Sequence, residues 1–136
     1  MPRILIVDDE PSILNMIRSV LELASFEIEV ARSAADAKSC LGEKPFDIVL
    51  TDMRMETPGA GYEVIRAAKQ LNPRPAIAIL TAFLMSPADW RPSGADALLV
   101  KGQDVLNLPT KLHSLLTHHP EVAATGNQQC RSAKLG

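Results

Sequence analysis

A chain of 136 residues with 46% hydrophobic and 22% charged side chains has the length of one domain and the composition of a globular one, richer in apolar residues than a disordered chain. A net charge of −2 without any run of Lys or Arg gives no reason to expect nucleic-acid or membrane-surface binding. Cys40 and Cys130, with no CxxC and no His at metal-ligand spacing, argue against a zinc site or a disulfide framework and fit reduced thiols in a cytoplasmic protein.

The first apolar run, Ile4 to Val7, is short and is followed by three acids, so it reads as neither a signal peptide nor a spanning helix. Residues 3–8 (RILIVD) instead form the continuous β-branched and Leu run of a strand buried on both faces. Pro11 suits a first helical turn, and Ile13, Leu14, Ile17, Val20 and Leu21 follow at helical spacing. Residues 26–31 (FEIEVA) alternate as an edge strand would, with Glu27 and Glu29 discouraging edge pairing. Ser33 with Asp36 resembles a capping box, and Ala34, Ala37 and Leu41 give a thin apolar stripe ending near Gly42.

Residues 46–52 (FDIVLTD) read as a third strand, and 61–71 as a third helix with Val64, Ile65, Ala68 and Leu71 facing inward. Residues 76–81 (AIAILT) and 97–100 (ALLV) supply the fourth and fifth strands. Between them Pro87 and Pro92 make any helix short or irregular, and Trp90 is expected to fold back over the core edge. Leu108, Leu112, Leu115 and Leu116 mark a last helix with Pro109 in its first turn, and His118 and His119 close it. Five strands alternating with helices predict an α/β fold, a parallel sheet covered on both faces. Residues 1–119 form the expected domain, and 120–136, polar and small, the expected mostly flexible tail.

In an open parallel sheet the carboxyl ends of the strands share one edge. Asp8, Asp9, Asp52, Thr81 and Lys101 all fall at or just past such ends. Three carboxylates brought that close repel one another unless a cation lies between them, and oxygen-only ligands select a hard ion such as Mg²⁺. Taken alone, an acidic pair after a strand is equally a helix cap, a strand-end Thr a β-former, and a Lys a solvated surface residue. Together they describe a phosphate-binding pocket, with Asp52 as the nucleophile towards a phosphoryl group, Thr81 as a hydroxyl donor and Lys101 as a point charge. Asp47 lies at the opposite end of its strand and is set aside.

The pieces ILIVDDE at 4–10, DIVLTDMRM at 47–55, AILTA at 78–82 and GADALLVKG at 94–102 closely resemble the receiver domain of two-component response regulators. The resemblance implies a flavodoxin-like, doubly wound five-stranded sheet in the order 2-1-3-4-5. It also implies that Asp52 accepts a phosphoryl group from a sensor histidine kinase or phosphotransfer protein, with Mg²⁺ on Asp9, Asp52 and the Arg54 carbonyl and with Asp8 acting through water. Thr81 and Lys101 would bind the phosphoryl oxygens. Such a domain is not an enzyme in the ordinary sense, catalysing only its own phosphorylation and dephosphorylation and signalling through a protein partner.

The chain departs from the family pattern around that site. Glu56 stands where the family usually has proline four residues after the acceptor, with Pro58 displaced along METPGAG; Leu98 replaces the usual Tyr or Phe; Gly102 replaces the proline after the lysine. These changes fall on the family's usual output face and leave the output protein and oligomeric state open. A receiver-like scaffold that is not controlled by phosphorylation, and a small Mg²⁺-dependent phosphatase with an Asp nucleophile, are the alternative readings. Direct nucleic-acid or membrane contact is not expected.

Overall fold

The computed structural model describes residues 1–118; the expected tail at 120–136, and His119 at the end of the expected last helix, lie outside the described residues. Five parallel strands, β1 (Arg3–Val7), β2 (Glu27–Ala31), β3 (Ile48–Asp52), β4 (Ala76–Thr81) and β5 (Ala97–Val100), stand in the order β2-β1-β3-β4-β5. Helices α1 (Pro11–Glu22), α2 (Ala34–Glu43), α3 (Ala60–Lys69), α4 (Pro87–Trp90), α5 (Lys101–Asp104) and α6 (Leu108–His118) make the connections. This is the expected flavodoxin-like topology.

Because successive strand side chains point to opposite faces, the sheet divides the core into two halves. Leu5, Val7, Val49, Ile77 and Ile79 pack with α2, α3 and Trp90. Ile4, Ile6, Ile48, Leu50, Ala78 and Leu80 pack with Leu14, Ile17 and Leu21 of α1 and with Leu108 and Leu112 of α6. Strands buried on both faces have no polar side to show, which is why β1, β3 and β4 read as unbroken apolar runs.

At the edge, Glu27 and Glu29 of β2 meet Arg3 and Lys44 at 3.0 and 3.3 Å. These exposed pairs are worth at most about 1 kcal/mol each, so their main effect is to hydrate the edge strand. Ser33 caps α2 by accepting from the Asp36 N–H at 3.0 Å, while the Asp36 carboxylate returns to Arg32 N rather than to Ser33. At the far end of the sheet, Arg3 N donates to Asp47 Oδ2 and Asp47 N to Arg3 O, both at 2.8 Å. Asp47 thus fixes the start of β1, on the edge opposite Asp52.

The proline-broken stretch forms one turn of α-helix followed by a 3-10 turn at Arg91–Ser93, closed by Gly94 at φ 98°. Trp90 is only 6% exposed and joins the α2/α3 half of the core, while Arg91 stacks 5.2 Å above its ring. An indole buries more area than other side chains, so one residue anchors a segment with little helix of its own. Trp90→Ala is expected to lower unfolding free energy by about 3–5 kcal/mol in urea titrations. A change within about 0.5 kcal/mol would place this segment outside the core.

Candidate functional site

Register delivers the site residues to neighbouring positions. Val7 of β1 pairs with Thr51 of β3, Asp52 with Leu80 of β4, and Thr81 with Val100 of β5. Asp8 and Asp9 leave β1 beside Asp52, and Lys101 follows the strand next to Thr81. Each strand ends in the same layer, so four loops open onto one carboxyl-end edge.

The three carboxylates converge: Asp8, Asp9 and Asp52 each offer an oxygen within 4.8 Å of the others. Lys101 Nζ lies 2.9 Å from Asp8 Oδ2 and 3.4 Å from Asp52 Oδ2. Asp8 is fully buried and Asp9 exposed, with Asp52 between these extremes. Asp8 Oδ1 accepts from Glu10 N at 3.0 Å, and Asp52 Oδ1 from Met53 N at 2.8 Å. Asp8 Oδ2 is different: it is buried and meets the Lys101 ammonium at 2.9 Å, with no further hydrogen-bond partner among the described residues. A buried carboxylate oxygen left with spare acceptor capacity, beside two further carboxylates, fits a hard divalent cation.

Burial and the charge of Asp8 push the Asp52 carboxyl above its ordinary value, against the smaller opposing pull of Lys101 and of the Met53 N–H. For Lys101, burial lowers the affinity for its proton, but the contact with Asp8 and the charges of Asp52 and Asp8 outweigh it and hold the ammonium above its ordinary value. Burial disfavours the charged form of both groups, and the neighbouring acids raise both.

The remaining expected residues sit close by in the fold without joining the carboxylate cluster. Thr81 is 8% exposed, and its Oγ1 accepts from Phe83 N at 3.3 Å, which leaves the hydroxyl proton free to donate. Arg54 is exposed in the loop at 53–59, two residues past Asp52. Phe83, two residues past Thr81, is 74% exposed. Gly61, in the first turn of α3, lies against the Asp52–Met53 peptide: its N–H donates to Met53 O at 2.9 Å, and a Cβ there would collide with the Asp52 carbonyl and lie 2.6 Å from Met53 Cα.

Two supporting contacts were not legible in the sequence, although Glu56 itself stood out there. Asp104 Oδ2 accepts from Val100 N at 2.6 Å and its other oxygen meets Lys111 of α6 at 3.4 Å, so the helical turn α5 fixes the backbone carrying Lys101. Glu56 Oε2 accepts from Ala34 N at 2.8 Å, joining the loop after Asp52 to the head of α2. An acid three residues after Lys101 was the available signal for the first. For the second it was the acid standing in place of proline. Leu98, where the family pattern has an aromatic, is partly buried and packs against the α2/α3 half of the core.

Comparison with known proteins agrees with this geometry. The model of the response regulator receiver domain matches residues 4–113, and the chain belongs to that family. It is 33% identical over 123 residues to the transcriptional regulatory protein ZraR of Salmonella typhimurium, covering 89% of this chain and 28% of that protein. It is 35% identical over 79 residues to the response regulator protein PilR of Pseudomonas aeruginosa, covering 58% of this chain and 18% of that protein. The chain therefore spans less than a third of the length of these curated relatives.

Among solved structures, the chemotaxis response regulator CheY4 of Vibrio cholerae superposes with a TM-score of 0.76 at 28% identity, covering 85% of this chain and 98% of that one. The response regulator TrrA of Thermotoga maritima, solved in complex with Mg²⁺-BeF, gives 0.74 at 29% identity over 85% and 99%.

The raised Asp52 carboxyl carries a stability consequence. A folded-state pKa above the unfolded one means that the native state gains stability from Asp52 protonation, a contribution fully present below the ordinary value of 3.8 and lost as pH rises through the raised one. Without added metal, Asp52→Asn is therefore expected to melt above the wild-type chain at neutral pH, the gap closing as pH falls towards 3.8. A pH-independent gap would contradict the electrostatic origin.

Proposed function

We propose that this domain is a phosphorylation switch in which Asp52 takes a phosphoryl group from a sensor histidine kinase or phosphotransfer protein. The observation that carries this reading is the Asp52 carboxylate, held between the Lys101 ammonium and the acids Asp8 and Asp9 at the carboxyl edge of the sheet. An Asp52 oxygen attacks phosphorus as the bond from phosphorus to the donor nitrogen breaks, and the departing electron pair returns to the imidazole. Asp9, Asp52 and the Arg54 carbonyl would hold Mg²⁺, with Asp8 acting through water; the ion would supply neutralising charge for the phosphoryl oxygens. Lys101 then binds one of those oxygens, and Thr81 donates its hydroxyl proton to another.

The domain acts on itself alone, promoting its own phosphorylation and dephosphorylation, and it reports through a protein partner. ZraR is a transcriptional regulatory protein, and both relatives are far longer than this chain, so any DNA contact in such an arrangement would belong to another domain; the net charge of −2 supports a receiver that does not itself touch nucleic acid. The described residues hold no helix long and apolar enough to cross a membrane, which suits a cytoplasmic module comprising residues 1–119. The scaffold reading draws on Leu98, already packed against the core, because a rotating aromatic signal is absent from that position.

Acetyl phosphate with Mg²⁺ is expected to add one phosphoryl group per chain, detected by intact mass, with no addition to Asp52→Asn. Thr81→Ala is expected to slow labelling by about 100-fold, the typical effect of losing one donor to developing charge. An unlabelled but folded wild-type chain would leave the scaffold reading, and continuous turnover of a generic phosphoester would indicate a phosphatase. Phe83, exposed beside Thr81, is expected to shield the phosphoryl group from water. Phe83→Ala should then shorten its lifetime while changing stability by no more than about 0.5 kcal/mol, and an unchanged lifetime removes that role.

A further inference from the structure

The loop between β3 and α3, residues 53–59, is fastened at two places. At its start, Met53 N donates to Asp52 Oδ1 at 2.8 Å and Met53 O accepts from Gly61 N at 2.9 Å. In its middle, Glu56 Oε2 accepts from Ala34 N at 2.8 Å. Arg54 and Met55 lie between these points, and Met55 N is further held by Thr57 O at 3.1 Å. The backbone between two such anchors has little freedom to shift.

The Glu56 contact is made to a favourable place. Ala34 is the first residue of α2 and is 2% exposed, and its N–H is one of the donors that a helix start leaves without an intrahelical partner. A carboxylate there gains from the helix dipole and from a charge-assisted hydrogen bond. Ser33 already serves Asp36 N at the same helix end, so two side chains share the capping. One of them belongs to the helix's own segment, whereas the other arrives from the loop that follows the acceptor.

We infer that Glu56 is a positioning residue for the acceptor loop, its hydrogen bond to the head of α2 setting the backbone at Arg54 that presents a carbonyl to the cation. This rests on the functional reading above, which gives that carbonyl to Mg²⁺. It also explains how the loop does without proline at this position: a long-range tether replaces the local stiffness that a fixed φ would supply. The simpler role, a cap that only stabilises α2, is separated from this one by comparison with Ser33, which caps the same helix end from the helix's own segment.

The test is calorimetric titration of the intact chain with Mg²⁺, alongside thermal melting, for the wild type and for Glu56→Ala, Glu56→Gln and Ser33→Ala. Glu56→Ala is expected to weaken Mg²⁺ binding by about 10-fold, the usual effect of losing a residue that orients a metal ligand. Glu56→Gln keeps an acceptor oxygen and is expected to remain close to wild type. Ser33→Ala should lower the melting temperature while leaving Mg²⁺ affinity unchanged. Unaltered affinity in Glu56→Ala, or an equal loss in Ser33→Ala, overturns the inference and leaves Glu56 as a cap. Absence of Mg²⁺ binding by the folded wild type overturns the functional reading as well, so the two failures are distinguishable.

Discussion

Lys101 meets two carboxylates at once, Asp8 at 2.9 Å and Asp52 at 3.4 Å, and the chemistry of this edge depends on that shared contact. Two like charges about 4 Å apart repel by on the order of 4 kcal/mol at the effective dielectric of a partly buried site, about 20. Three acids gathered within 4.8 Å therefore need positive charge, and a single ammonium leaves the balance negative. Burial first, and then the charge of Asp8, hold the Asp52 carboxyl above its ordinary value despite Lys101. A site in this state favours whatever brings further positive charge, and it keeps the Asp52 carboxylate facing the Lys101 ammonium.

The rest of the fold serves to keep those groups in place. Alternation along β1, β3 and β4 fills both halves of the core, which fixes the register, and register sets where each strand ends. Past the ends, short-range and long-range contacts take over: Glu10 N on Asp8, Met53 N on Asp52, Asp104 behind Lys101 and Glu56 on α2. Rigid strands thus position the site residues, and the loops that follow are held in place at a few points.

Much of this was legible in the chain. Residues 76–81 and 97–100 were delimited correctly because a buried parallel strand carries an uninterrupted apolar signal. The carboxylate cluster was legible because strand ends in a parallel sheet converge by topology, whatever their separation in sequence. The boundaries of β2 and β3 were read too early, since Phe26 and Phe46 are buried in the approach to the strand and add to the same apolar pattern. The turn α5 gave no period to read, its four residues having no buried side chain. Glu56 was seen as a departure from a pattern but its partner was not, because a bond to a backbone amide in another element leaves no trace in local sequence.

The central claim is that Asp52, with a divalent cation and Lys101, forms a ready receptor for a phosphoryl group. Fluorine NMR of the chain with beryllofluoride, a stand-in for the phosphoryl group on Asp52, addresses it most directly. The account predicts a bound fluorine signal that requires both Mg²⁺ and an intact Asp52 and is lost in Asp52→Asn. A folded wild-type chain that shows no bound signal in the presence of Mg²⁺, or one whose signal survives Asp52→Asn, would contradict it.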